Sequence, residues 1–231
     1  MIVGWIVVMA AAILDWMAVA KGWKKIETYA KPGTMVALFL MLVLGLLKSQ
    51  PGSVPLTLFG LGILFSLAGD IFLLVSYARF SNRWFLLGLA AFLLAHVSYI
   101  IGLNTPPPSV PLIWSLGLSA ILALTAARIL RRIVIGVREK GLNRMVFPVV
   151  AYGVVITVML LSALLTLYRS DWRTGPAGLV VLGAALFYLS DVILAWNRYV
   201  TPIKNGRVIN MMAYHLGQFA LVAGVLAQFA R

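Results

Sequence analysis

Apolar residues come along this chain in runs of about twenty, parted by short polar breaks. About twenty residues in a helix, at 1.5 Å per residue, cross a ~30 Å hydrocarbon core. Inside hydrocarbon every backbone N–H and C=O must bond within its own segment, so such runs are helices. The pattern predicts eight spans, near residues 2–20, 32–48, 55–76, 84–103, 110–130, 146–168, 176–196 and 207–229. The breaks are turn-forming: Gln50-Pro51-Gly52-Ser53 and Asn104-Thr105-Pro106-Pro107-Pro108, with a longer basic connection from Arg128 to Arg144. Trp23, Trp84, Trp114, Trp172 and Tyr199 fall near span ends, as in an interfacial belt. The expected fold is therefore all-α: a polytopic bundle of about eight transmembrane helices, forming one integral membrane domain over residues 1–231.

Composition supports this. Apolar residues make up 62% of the chain and charged ones 11%, against about 25% charged in a soluble domain. A soluble fold of this size has no interior large enough to hide that apolar surface. The first run lacks a basic leader and a small-residue cleavage pattern, so it is expected to stay as the first helix. With no cysteine, disulfides, thiolate metal sites and a cysteine nucleophile are excluded.

The net charge of +13 resembles a nucleic-acid signal, but Lys and Arg sit in the breaks between spans, where they anchor helices against anionic headgroups. No nucleic-acid partner is expected. The breaks after spans 1, 3, 5 and 7 hold Lys21, Lys24, Lys25 and Lys31, then Arg79 and Arg83, then Arg128, Arg131, Arg132, Arg138, Lys140 and Arg144, then Arg198, Lys204 and Arg207. The opposite side holds only Lys48, Arg169, Arg173 and Arg231. Positive charge stays inside, so the chain is expected in the cell membrane with both termini on the extracytoplasmic side.

Charged groups inside a membrane cost about 2.5–3.5 kcal/mol each at a helix centre, which makes them functional candidates. Asp15, Asp70 and Asp191 lie in the last third of spans 1, 3 and 7, which all run inward. His215 and Gln218 lie in the first half of span 8, and Lys31 opens span 2, at the same cytoplasmic level. His96 is deeper, in span 4. Each has a plainer reading. Asp15 could snorkel or pair with Lys21 or Lys25; the histidines could bond neighbouring carbonyls; Asp70 or Asp191 could form a structural ion pair with a lysine.

Spans 3 and 7 resemble each other, Leu64-Phe65-Ser66-Leu67-Ala68-Gly69-Asp70 beside Leu186-Phe187-Tyr188-Leu189-Ser190-Asp191. A histidine follows each aspartate in the next span, 26 residues on at His96 and 24 on at His215. The spacing hints at a tandem repeat of four plus four helices.

At these residues the chain resembles the YhhN-like membrane proteins, which include the lysoplasmalogenases. The matching segments are Tyr29-Ala30-Lys31-Pro32, Ser66-Leu67-Ala68-Gly69-Asp70, and Gly88 through Ala95-His96-Val97-Ser98-Tyr99. Gly183 through Tyr188-Leu189-Ser190-Asp191 and Tyr214-His215-Leu216-Gly217-Gln218 complete the match. The resemblance implies about eight membrane helices and hydrolysis of the vinyl-ether bond of a lysophospholipid, giving a fatty aldehyde and a glycerophospho-headgroup.

A vinyl ether hydrolyses by protonation of its β-carbon, capture of the oxocarbenium ion by water, and collapse of the hemiacetal. Two carboxyls in unequal environments supply the acid, the stabilising anion and the base, as in glycoside hydrolysis. Asp70 and Asp191 are the expected catalytic pair. Lys31, His96, His215, Gln218, Ser190, Tyr99 and Arg198 are the expected substrate-binding groups, with Lys31 best placed to meet the headgroup phosphate and Arg198, Lys204 and Arg79 as others. No metal or other cofactor is expected: a zinc hydrolase wants about three histidine ligands, and the chain has two histidines. The same carboxyls would suit a proton-coupled carrier, the alternative reading.

Overall fold

The computed structural model describes residues 2–49, 53–79 and 81–230; the expected turn at Gln50, Pro51 and Gly52 lies outside them. Among the described residues the chain forms eight α-helices and no strand: α1 (Ile2–Lys21), α2 (Lys24–Leu46), α3 (Val54–Arg79), α4 (Asn82–Leu103), α5 (Leu112–Glu139), α6 (Val146–Leu165), α7 (Thr174–Tyr199) and α8 (Gly206–Phe229). All eight are long and apolar enough to cross a membrane. The all-α, multi-pass architecture expected from the sequence is the one observed.

Two boundaries differ from expectation. The second helix begins at Lys24, so Pro32 lies inside it rather than at its start. The proline costs the bond its missing N–H would have made to the Thr28 carbonyl, but the helix continues because one stripe runs through both halves. Glu27, Ala30, Lys31, Thr34, Met35, Leu38, Met41, Leu42 and Gly45 are all buried, at helical spacing. The fifth helix runs to Glu139, so most of the expected basic connection is helical. Its arginines 128, 131, 132 and 138 are exposed while Ala126, Ile133, Gly136 and Val137 are buried, an amphipathic continuation that a charge count hides. The helix stops where Gly141 takes φ +70° and the Leu142 N–H donates to the Val137 carbonyl. Gly22, at φ +68°, closes α1 the same way, with the Trp23 N–H donating to the Ala18 carbonyl.

The chain forms two compact units, Met1–Gly102 with Val225–Arg231, and Leu103–Gly224. In the first, α1 packs on α2 and α2 on α3. Glycines bring α3 and α4 together. The Phe92 ring occupies the space a Cβ on Gly69 would need, Tyr99 does so at Gly62, and Leu73 crowds Gly88.

In the second unit α5 packs on α6 and α7, and α6 on α7. Along α7 and α8 the backbones nearly touch. A Cβ on Gly183 would lie 2.7 Å from the Gly217 carbonyl oxygen, and one on Gly217 would lie 2.9 Å from the Gly183 carbonyl oxygen. This unit is also clasped by Arg169. Its guanidinium donates to the Leu103 and Pro106 carbonyls at 2.7 and 2.9 Å and, bidentately, to Asp171 at 2.9 and 2.6 Å. The hydrogen bonds and charge of Arg169 hold the Asp171 carboxyl below its ordinary range, against a smaller opposing effect of desolvation. A lowered folded-state value means the clasp is intact at neutral pH and is lost only on acidification through that lowered value.

Candidate active site

In the first unit the charges come from three helices and lie on their buried stripes. On α1 the buried positions Val8, Ala12, Asp15, Ala18 and Val19 follow helical spacing, so Asp15 faces the interior. On α2 the stripe carries Lys31. On α3 it carries Ser66, Gly69, Asp70 and Leu73. The Lys31 ammonium pairs with Asp70 Oδ1 at 3.0 Å, and both side chains are almost sealed, at 3% and 1% exposure. Asp15, fully buried, adds its charge to the field that Asp70 sets at Lys31.

This is a buried ion pair with a second carboxyl in range. Removing either partner of such a pair leaves an uncompensated charge in a low dielectric. The helix-end reading of Asp15 does not describe it: Lys21 and Lys25 are exposed, and the Lys21 ammonium sits over the Trp23 ring at 4.7 Å.

On α4, Phe92 and Tyr99 bear on α3 at Gly69 and Gly62. His96 lies between them at helical spacing and is fully buried, so it comes opposite the turn of α3 that carries Ser66. Tyr99 also lies tilted against Phe59, ring centres 4.8 Å apart.

In the second unit, Asp191 lies eight residues before the end of α7, about 12 Å along the axis. It is half-buried. Its Oδ2 accepts a hydrogen bond from the Tyr152 hydroxyl of α6 at 2.5 Å. The next residue back is tied to α8: Asn210 Nδ2 donates to the Ser190 carbonyl at 2.5 Å, while the Ser190 hydroxyl donates to the Phe187 carbonyl at 2.8 Å. Phe187 then meets Tyr214 edge-on at 5.2 Å. These contacts set an antiparallel register in which His215 stands beyond Asn210, toward the start of α7. His215 and Gln218 are fully buried, and the His215 ring stacks over Phe219.

Arg198 is two turns from Asp191, at the end of α7. It is half-buried, lies over the Tyr199 ring, and its carbonyl accepts a 2.7 Å hydrogen bond from Lys140.

The structure thus joins Lys31 to Asp70, sets His96 and Tyr99 on the neighbouring helix of the same unit, and sets Ser190 and Asp191 beside α8, which carries His215 and Gln218. Arg198 stands apart, at the helix end. Sequence reasoning missed Tyr152 and Asn210. A signal existed for Tyr152: a phenol two turns inside a membrane helix must place its O–H on an acceptor. For Asn210, near a helix start, polarity is ordinary and carries no signal. Among the described residues no group of three or more His, Asp or Glu is placed to hold a metal ion.

No solved structure matches this chain. Mammalian proteins named lysoplasmalogenase TMEM86B do. The mouse protein is 29% identical over 189 residues, 81% of this chain and 71% of the relative. The human protein is 30% identical over 144 residues, 62% and 54% of the two chains. The rat protein is 28% identical over 147 residues, 62% and 52%. The matched regions thus span about half of the human and rat relatives. The YhhN family model covers residues 26–225, a stretch holding Lys31, Asp70, His96, Tyr99, Tyr152, Ser190, Asp191, Arg198, Asn210, His215 and Gln218 but not Asp15. The chain belongs to the YhhN family.

Proposed function

We propose that this protein hydrolyses the vinyl-ether bond of a lysoplasmalogen within the cell membrane, releasing a fatty aldehyde and a glycerophospho-headgroup. The observation that carries the reading is the match to relatives named for that activity, together with the family match over residues 26–225, which include Asp70 and Asp191. Asp191 is the proton donor. It is half-buried, so a proton can return to it after each turnover, and its carboxyl is held by Tyr152. Asp70, sealed against Lys31, keeps its negative charge and serves as the stabilising anion.

Lys31 is then committed to Asp70, and Arg198, at a helix end, is the better cation for the headgroup phosphate. His96, Tyr99, Ser190, His215 and Gln218 bind the polar part of the lipid, while the alkenyl chain lies against apolar helix faces. Aldehyde release by purified protein from alkenyl lysolipids, with the saturated alkyl-ether lysolipid as control, tests the reading. Only the alkenyl lipids should react, because the control has no double bond to protonate. No aldehyde from any of them overturns the hydrolase and favours the carrier.

The same reading places both termini outside, on the strength of the basic residues at the ends of α1, α3, α5 and α7 and in the connections after them. A cysteine placed at Lys140, in a chain without others, should resist impermeant maleimides in intact cells. Ready labelling reverses the orientation.

A further inference from the structure

We infer that Tyr152 is a positioning residue for the reaction, holding the Asp191 carboxyl in the orientation from which it gives up its proton. The inference rests on the hydrolase reading above. Tyr152 is buried on the inward stripe of α6, with Val149, Ile156, Met159 and Ala163. In that setting its hydroxyl hydrogen needs an acceptor, and Asp191 Oδ2 supplies one at 2.5 Å. The backbone one residue earlier is tied to α8 through Asn210. Asp191 is therefore fixed from two helices, by its carboxyl and by its main chain, and the plane of the carboxyl sets the direction of Oδ1.

The chemistry gives this geometry a purpose. With Oδ2 accepting from Tyr152, the transferable proton sits on Oδ1. It passes to the β-carbon of the alkenyl ether as the double-bond electrons form the new C–H bond, and the ether oxygen shares the resulting positive charge as an oxocarbenium ion. Asp191 is left as a carboxylate. Water adds to the cation, its surplus proton returns to Asp191, and the hemiacetal breaks into aldehyde and alcohol. The Tyr152 hydrogen bond strengthens as Asp191 gains negative charge, since a bond to an ionised acceptor is roughly twice as strong as a neutral one. An interaction stronger in the transition state than in the ground state raises kcat and leaves substrate binding alone. Tyr152 touches Asp191 and is not required to touch the lipid.

Tyr152→Phe removes one oxygen and keeps the ring. It should lower kcat about 10- to 100-fold, the size of a lost hydrogen bond to a charged group, with KM within about twofold. On an Asp191→Asn background the same change should do nothing further, because Tyr152 acts only through the carboxyl. Rates are referred to folded protein, followed by thermal unfolding, so a folding defect is not counted as a kinetic one. An unchanged kcat in Tyr152→Phe, a loss confined to KM, or an equal loss on both backgrounds each overturns the positioning role while leaving the hydrolase intact. If the unaltered protein releases no aldehyde, the hydrolase reading fails and the inference fails with it.

Discussion

Asp191→Asn should lower turnover of an alkenyl lysolipid by about 10²–10⁴-fold, the usual worth of general acid–base help, while the protein still inserts and folds. Asparagine keeps the size and the hydrogen-bonding capacity of the side chain, including an oxygen for the Tyr152 hydroxyl, but has no proton to exchange. Asp70→Asn should cost a comparable factor for a different reason. It leaves the Lys31 ammonium facing a neutral amide where a stabilising anion is needed. If both aspartates serve one chemical step, the double variant should be little worse than the poorer single variant, because groups that act as a unit are strongly non-additive. Near-normal aldehyde release by either single variant removes that residue from the mechanism. Losses that multiply in the double variant show two independent roles.

The second large effect is on stability. Lys31→Met removes the ammonium 3.0 Å from Asp70, with both groups nearly sealed from solvent. Breaking a buried pair from one side costs about 3–5 kcal/mol, mostly because the remaining charge loses its compensation. The variant should unfold at a clearly lower Tm in detergent. Lys31→Met combined with Asp70→Asn should regain most of the loss, since the two neutral groups fit a low-dielectric interior. Asp15 sharpens the expectation, because it is a second fully buried carboxyl in the same unit. An unchanged Tm in Lys31→Met, or a double variant no better than the single, would show that the ion pair is not what holds Asp70.

The eight helices were legible because lipid imposes one rule on every span: a run of apolar residues long enough to cross, with its backbone bonded internally. Where the chain obeys other forces the reading slipped. Pro32 marks a helix start in most contexts; here the buried stripe from Glu27 to Gly45 carries the helix through it. The arginines of α5 look like a loop, yet they cover the outer face of a helix whose inner face packs Ile133 and Val137.

The candidate site divides the same way. Asp70, Asp191, Lys31 and His96 stand out because each is costly in hydrocarbon and asks for a reason. That Lys31 is the partner of Asp70 is set by the register between α2 and α3, which no local pattern encodes. Tyr152 went unread because an aromatic residue is at home in an apolar run, and its hydroxyl becomes informative only once α6 is laid against α7. Asp15 lies near a helix end, where a carboxylate can snorkel, yet the spacing from Val8 and Ala12 already turns it inward.

The central claim, hydrolysis that begins with a proton placed on carbon, is tested most directly by running the reaction in deuterium oxide. Purified protein is given an alkenyl lysolipid and the fatty aldehyde is trapped as it forms. The account predicts one deuterium on the carbon next to the carbonyl in each aldehyde released, and much slower release of the same labelled product by Asp191→Asn. Aldehyde without that deuterium, or no aldehyde at all, would contradict it.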